Sequence, residues 1–311
     1  MDNLTFLHEN ATQPDFTLTA VTVFKICVII PFFCIFMCSI ILMLYTFYSQ
    51  RQLWQSGRYV LFAHMLVSDT IHLLSSIVLF LLFKANVQIP FVYCQLLIFI
   101  SSVSYMVTPI NLATMSLERY IAICNPLRHA EICRVERGWI VILMFWIVSC
   151  VPFIAHISLE GPLADKDIYS GTLCRKQSAN SSPSQKLANV VSSGLCFAVV
   201  ATIVLYTYVR ILLETRKVRA DKASARKALK TVLLHGIQLG LCMLSFTYPV
   251  TEDIIQRQDI WFKDHIGFLN YFSFMLLPRF LSPLIYGVRD ETFKKHMKRN
   301  LPCYSSKITP E

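Results

Sequence analysis

Seven blocks of apolar residues, each long enough to cross a lipid bilayer, constrain this chain more than any other feature. They lie at residues 23–49, 58–83, 92–124, 138–159, 187–213, 228–250 and 266–287. A hydrocarbon layer of ~30 Å takes roughly 20 helical residues. Inside it a segment has to satisfy its own backbone hydrogen bonds, so each block is expected to be a helix. Composition agrees: 55% of the 311 residues are hydrophobic and 15% are charged, where a soluble domain has an apolar share of about 45–50%. The sequence therefore predicts an all-α membrane protein with seven transmembrane helices. A cleaved signal peptide is disfavoured for the first block, because residues 1–22 hold acidic residues and no Lys or Arg and the apolar run is too long for such a leader.

The distribution of Lys and Arg orients the bundle. Arg210, Arg216, Lys217, Arg219, Lys222, Arg226, Lys227 and Lys230 crowd the connection between blocks five and six, and Lys294, Lys295, Lys298 and Arg299 crowd the tail. The positive-inside rule puts the N-terminus outside and the C-terminus in the cytoplasm. The net charge of +10 then belongs to the cytoplasmic face, next to membrane lipids, and a nucleic-acid partner need not be invoked. Three glycosylation sequons, at Asn3, Asn10 and Asn180, all fall on the outer side in this orientation. Three regions are expected: an extracellular glycosylated N-terminus at 1–22, a seven-helix domain at 23–287, and a cytoplasmic helix and tail at 288–311. In the last, Phe293 and Met297 alternate with lysines at helical spacing, the pattern of a short amphipathic eighth helix on the inner leaflet. Cys303 is a candidate for palmitoylation, and Ser305 and Ser306 for phosphorylation.

Most of the 11 cysteines sit within blocks, where cysteine usually acts as a small packing residue. Cys94, at the outer start of block three, and Cys174, in the outer loop 160–186, both face the oxidising side. A bridge between them would fasten that loop across the mouth of the bundle and contribute ~2–5 kcal/mol.

The run MSLERYIAICNPLRH at 115–129 places Glu118 and Arg119 at the inner end of block three, where charges are rare and usually functional. This run, RKALKTVLLH at 226–235 and LSPLIYGVRDETFKK at 281–295 together resemble the odorant-receptor branch of the rhodopsin-like seven-helix G-protein-coupled receptors. The resemblance rests on Glu118, Arg119, Tyr120, Ala122, Cys124, Asn125, Pro126, Leu127 and Arg128, on Lys227, Ala228, Thr231 and His235, and on Pro283 and Tyr286. The spacing of Cys94 from Arg119 also agrees with the family's disulfide. Block two has no Pro-Met-Tyr element before it, block one lacks the usual asparagine, and Ser282 replaces the asparagine before Pro-x-x-Tyr. The outer loop 160–186 has one cysteine. These departures place the resemblance nearest the divergent, fish-type branches.

The resemblance implies a receptor of the plasma membrane that binds a small odorant in the outer half of the bundle and activates a heterotrimeric G protein, of the olfactory, stimulatory type, at the cytoplasmic face. It implies that Glu118 holds Arg119 at rest, with Tyr120, His235, Pro283 and Tyr286 in the same activation switch. It carries the pocket onto Ser101, Ser102, Tyr105, Met106, Met243, Phe246, Thr247 and Val250. Ser101 stands where amine receptors keep an aspartate, and Met243 where odorant receptors usually keep a tyrosine. Mid-block Asp69 needs a polar cavity, a proton or a cation; in this class it often joins a sodium ion, here with Thr108 and Ser282, and a water-filled polar cluster is the alternative. His64 and His72 read as hydrogen-bonded interior histidines, and Glu252, Asp253, Asp259 and Asp264 as solvated loop charges. No phosphate-binding glycine loop, nucleophile elbow, HExxH or CxxC pattern occurs, so no enzyme and no resident cofactor other than that sodium ion is expected. The rival readings are a receptor of the same fold for a peptide or lipid, and a transporter or channel.

Overall fold

In the computed structural model the described residues are 16–158, 171–174, 183–217, 236–237, 240–241, 243–245, 247–255, 266–289 and 291–300, and nearly all of them are helical. Asn3, Asn10, Asn180, His235, Phe246, Asp259, Asp264, Cys303, Ser305, Ser306 and most of the block at 228–250 lie outside them, as do the side chains of Ser282, Tyr286, Val250 and Asp253. The chain divides into two compact units, Met1–Ile41 and Leu42–Glu311. The described part of the first is the outer stretch of helix α1 (Phe16–Ser49), which continues through Pro31. This helix begins earlier than the apolar block at 23, since no glycine or proline interrupts residues 16–22.

The second unit holds α2 (Arg51–Trp54), α3 (Gly57–Lys84), α4 (Phe91–Cys124), α5 (Pro126–Ile132), α6 (Val135–Ser158), α7 (Pro183–Lys217) and α8 (Tyr248–Ile255). Helical residues 266–270 lead into a π-helical turn, Tyr271–Leu276, then α9 (Leu277–Arg289) and α10 (Glu291–Asn300). Among the described residues six helices are long and apolar enough to span a membrane: Val23–Ser49, Gly57–Phe83, Phe91–Cys124, Val135–Ala155, Val190–Glu214 and Ile266–Ile285. The expected span at 228–250 is described only in fragments.

Helix α4 is buried along more of its length than any other described span and packs on α3, α6 and α7. The outward stripe of α6, Leu143, Ile147, Val151 and Ile154, is apolar and exposed, as a surface turned to lipid rather than water would be. Polar side chains tie the helices together inside. Trp146 Nε1 donates to His64 Nε2 at 3.0 Å and Asn111 Nδ2 lies 3.2 Å from His64 Nδ1, which joins α3, α4 and α6. His64 is thus the interior hydrogen-bonded histidine the sequence suggested.

At the end that the charge pattern of the sequence turns outward, α3 stops where Asn86 adopts φ 53°, a left-handed conformation that asparagine tolerates better than most residues. The chain then forms strand β1 (Gln88–Pro90), antiparallel to β2 (Gly171–Leu173) with Gln88 opposite Leu173 and Pro90 opposite Gly171. This ladder delivers Cys174 to Cys94 on the first turn of α4, and the two form a disulfide with Cα atoms 5.4 Å apart. Both cysteines are buried, with Ile98, Leu79, Ile89 and Phe153 around them.

At the inner end, Asn125 breaks the helix after Cys124 and Pro126 opens α5, since proline suits a first helical turn whose N–H would go unpaired. Gly57, at the start of α3, lies so close to the Cys133 carbonyl that a Cβ there would stand 3.1 Å from its oxygen. The expected eighth helix is present as α10. Its Phe293 does not lie on the leaflet, however; it is fully buried and meets the Phe62 ring of α3 edge-on at 5.6 Å.

Candidate functional site

Three layers are stacked along α4: an outer one at Tyr105, a middle one at Thr108 one turn further on, and an inner one at Glu118 near the helix end. In the outer layer Tyr105 and Met275 form a small core with Met106, Tyr248 and Tyr271 around it. The hydroxyls of Tyr105 and Tyr271 each find a partner, as buried tyrosines usually do. Tyr105 donates to the Ser245 carbonyl at 2.8 Å, and the Tyr271 hydroxyl pairs with Ser76 at 2.7 Å. Tyr271 also stacks on Phe80, with ring centroids 6.4 Å apart. The π-helical turn Tyr271–Leu276 carries both Tyr271 and Met275 into this core; such turns are often found at functional sites.

Of the pocket residues expected from sequence, Tyr105 and Met106 are in this cluster. Ser101 is buried instead against His72, whose Nδ1 donates to the Ser101 carbonyl at 2.8 Å and is thereby the protonated nitrogen of that ring. Thr247 is exposed, and its hydroxyl turns back to the carbonyl of Leu244, three residues before it. Ser102 and Met243 are half-buried. The sequence reading missed Tyr248, Tyr271 and Met275, although their aromatic and sulfur side chains lie in the same outer halves of the blocks. Glu252 is not a solvated loop charge: it stands in α8 and accepts from the buried Asn270 amide at 3.2 Å, while Asn270 Oδ1 accepts from Thr251 at 2.7 Å. These bonds fasten α8 to residues 266–270.

The middle layer centres on Asp69, fully buried on α3. Thr108 of α4 donates to Asp69 Oδ1 at 2.8 Å, which unites two of the three residues expected there. The third partner is one the sequence reading did not name. Arg279 of α9, 4% exposed, places Nη1 2.6 Å from the same Asp69 oxygen and 3.2 Å from Thr108 Oγ1. Its Nη2 donates to the Tyr105 carbonyl at 3.4 Å, and its guanidinium lies 5.1 Å from the Tyr105 ring centroid. That carbonyl is available because of Pro109, four residues on in α4, which has no N–H to give it. Removing one partner of a buried pair like this costs about 3–5 kcal/mol. The signal was present in the sequence: an arginine within an apolar block demands a partner, and Asp69 is the acid in the middle of a block.

The inner layer is Glu118, Arg119 and α5. Arg119 Nε lies 3.6 Å from Glu118 Oε2, and His129 Nε2 lies 3.0 Å from Glu118 Oε1. Glu118 is nearly buried and Arg119 only slightly exposed, whereas His129 is about a third exposed. Tyr120 packs on Tyr206 of α7 with ring centroids 5.9 Å apart. Pro283 is buried in α9. Beside the inner layer, burial and the Glu118 carboxylate raise the Cys133 thiol above its ordinary pKa.

A bundle of spanning helices around a central one, an outer aromatic core, a buried charge pair and an inner Glu-Arg pair describe a membrane receptor. The sequence profile of the family described as 7 transmembrane receptor (rhodopsin family) matches residues 40–286, and the chain belongs to that family. It is therefore a multi-pass receptor of a class that is not enzymatic. It is 31% identical to odorant receptor 131-2 of Danio rerio over 267 residues, which cover 84% of this chain and 81% of that one. It is 25% identical to olfactory receptor 2A12 of Homo sapiens over 256 residues, 78% of this chain and 79% of the relative. It is also 25% identical to olfactory receptor-like protein OLF3 of Canis lupus familiaris over 224 residues, 68% of each chain.

Proposed function

We propose that this chain is a chemosensory receptor of the odorant-receptor type, which binds a small organic molecule among the outer halves of its helices and activates a heterotrimeric G protein from its cytoplasmic face. The observation that carries the reading is the relationship to an odorant receptor over most of both chains, and the outer core of Tyr105, Met106, Tyr248, Tyr271 and Met275 gives it a physical basis. An aromatic and sulfur-rich lining suits an apolar or weakly polar ligand, held by dispersion and oriented by a few hydroxyls. Glu118 and Arg119 are the switch: a pair near the boundary can exchange partners at small cost when neighbouring helices move. The partner is a G protein of the stimulatory, olfactory type, and the receptor lies in the plasma membrane with its N-terminus outside, where glycans at Asn3, Asn10 and Asn180 would face the exterior.

The test is cyclic-AMP output in cells that co-express the chain and an olfactory-type stimulatory G protein, screened against mixtures of water-soluble odorants. A ligand-dependent rise that is lost in Arg119→Ala at equal surface expression supports both ligand class and switch. A rise that survives in Arg119→Ala removes the role given to Arg119, and no rise from surface-expressed wild type removes the stimulatory partner or the ligand class.

A further inference from the structure

Receptors of this fold often hold a sodium ion against the carboxylate in the middle of the second span, and Asp69, Thr108 and Ser282 were the residues expected to do so here. The middle layer does not fit that ion. The Asp69 oxygen that meets Thr108 also meets Arg279 Nη1 at 2.6 Å. The Thr108 hydroxyl has one proton, spent on Asp69, so its oxygen accepts from Arg279 at 3.2 Å. Asp69 Oδ1 and Thr108 Oγ1, two of the oxygens that would bind the ion, are thus turned to the guanidinium.

Charge gives the same result. Carboxylate and guanidinium already sum to zero. The other acids of the described spans lie near their ends, as with Glu118 and Glu214, so among the described spans no second acid stands at the depth of Asp69 to balance another cation. Among the buried oxygens of the described residues that lack a hydrogen-bond partner, three belong to Asp69, to Ser68 beside it and to Ser104 one turn before Thr108: Asp69 Oδ2, Ser68 Oγ and Ser104 Oγ. Two are neutral hydroxyls, and the third belongs to the carboxylate that Arg279 already neutralises. An added ion would place net positive charge in the least polarisable part of the bundle.

We infer that Arg279 is a tethered counter-cation that replaces the sodium ion at Asp69, so that the resting bundle holds its central positive charge covalently and is indifferent to sodium. Three features suit Arg279 to this position. Its planar fork reaches the carboxylate, the Thr108 hydroxyl and the Tyr105 carbonyl together. Pro109 leaves that carbonyl without its helical donor. The π-helical turn and Pro278 immediately before it set where Arg279 enters the bundle.

The experiment compares thermal unfolding of the purified full-length receptor in sodium chloride and in choline chloride at equal ionic strength. Wild type should show the same midpoint in both. Arg279→Met should unfold at a lower temperature and regain about a few degrees specifically in sodium; adding Asp69→Asn should abolish that recovery, and Arg279→Lys should stay indifferent. A sodium-specific rise in wild type overturns the inference, and so does a folded Arg279→Met that ignores sodium. If Arg279→Met yields no folded receptor, sodium magnetic relaxation with wild type decides: excess broadening lost in Asp69→Asn overturns the inference, and its absence upholds it.

Discussion

His129 Nε2 approaches Glu118 more closely, at 3.0 Å, than Arg119 does, at 3.6 Å. The acid of the inner layer is therefore shared between the end of α4 and the following helix α5, and both partners should hold the resting state of the proposed switch. A hydrogen bond to a charged group is worth about 1.5–3 kcal/mol when sheltered, and exposure of His129 reduces that to about 1. His129→Leu should therefore raise ligand-independent cyclic-AMP output roughly fivefold at equal surface expression, while His129→Gln, which can still donate, should raise it less. Unchanged basal output in His129→Leu would remove the histidine from the switch.

The outer disulfide should be a stability element. Cys94→Ser or Cys174→Ser is expected to cost ~2–5 kcal/mol and to reduce surface receptor, read with an extracellular tag. The double variant should be no worse than either single one, because each removes the same bond.

Loss of one hydroxyl should separate ligand contact from packing in the outer layer. Tyr105→Phe keeps the ring against His72 and Met275 but gives up the bond to the Ser245 carbonyl, for about 0.5–1.5 kcal/mol. Tyr271→Phe gives up the bond to Ser76 at similar cost. Both should express at the surface near wild-type level, with odorant dose-response curves shifted up to about tenfold; collapse of expression would mark the hydroxyls as structural.

Phe293→Ala should be far more damaging than an exposed position on α10 would allow. Its ring is fully buried against Phe62, and such truncations cost about 3–5 kcal/mol. The unfolding midpoint should fall by several degrees, while Lys295→Ala, at an exposed position on the same helix, should leave it unchanged.

The raised thiol of Cys133 predicts slow alkylation. A thiol pushed up by burial and by the Glu118 carboxylate has less thiolate at any given pH, and thiolate is the reactive form. Alkylation of Cys133, read by mass spectrometry of its peptide, should rise with pH along a curve displaced to higher pH. Glu118→Gln should move that curve down by removing the second of the two causes.

The helices were legible because hydropathy and length report them directly, and the spans at 58–83 and 92–124 are reproduced within a residue or so at each end. The Cys94–Cys174 pair and the Glu118–Arg119 pair were legible because charge and sidedness leave few partners. Arg279 was not, since a proline-rich apolar run hides one arginine, and its match to Asp69 depends on how α3, α4 and α9 meet. The fate of Ser101 was equally hidden. Ser101 is turned to His72, a residue on another helix, and nothing near Ser101 in the chain reports that contact.

Helix α4 runs for 34 residues, about 50 Å at 1.5 Å per residue. It is fastened at the top by a disulfide, at midpoint through Thr108 and Tyr105, and at the bottom by Glu118 and its partners. A rod anchored at three heights makes a poor lever and a good axle. Any motion between states should then fall to the helices around it, which bear on a shaft held at three heights.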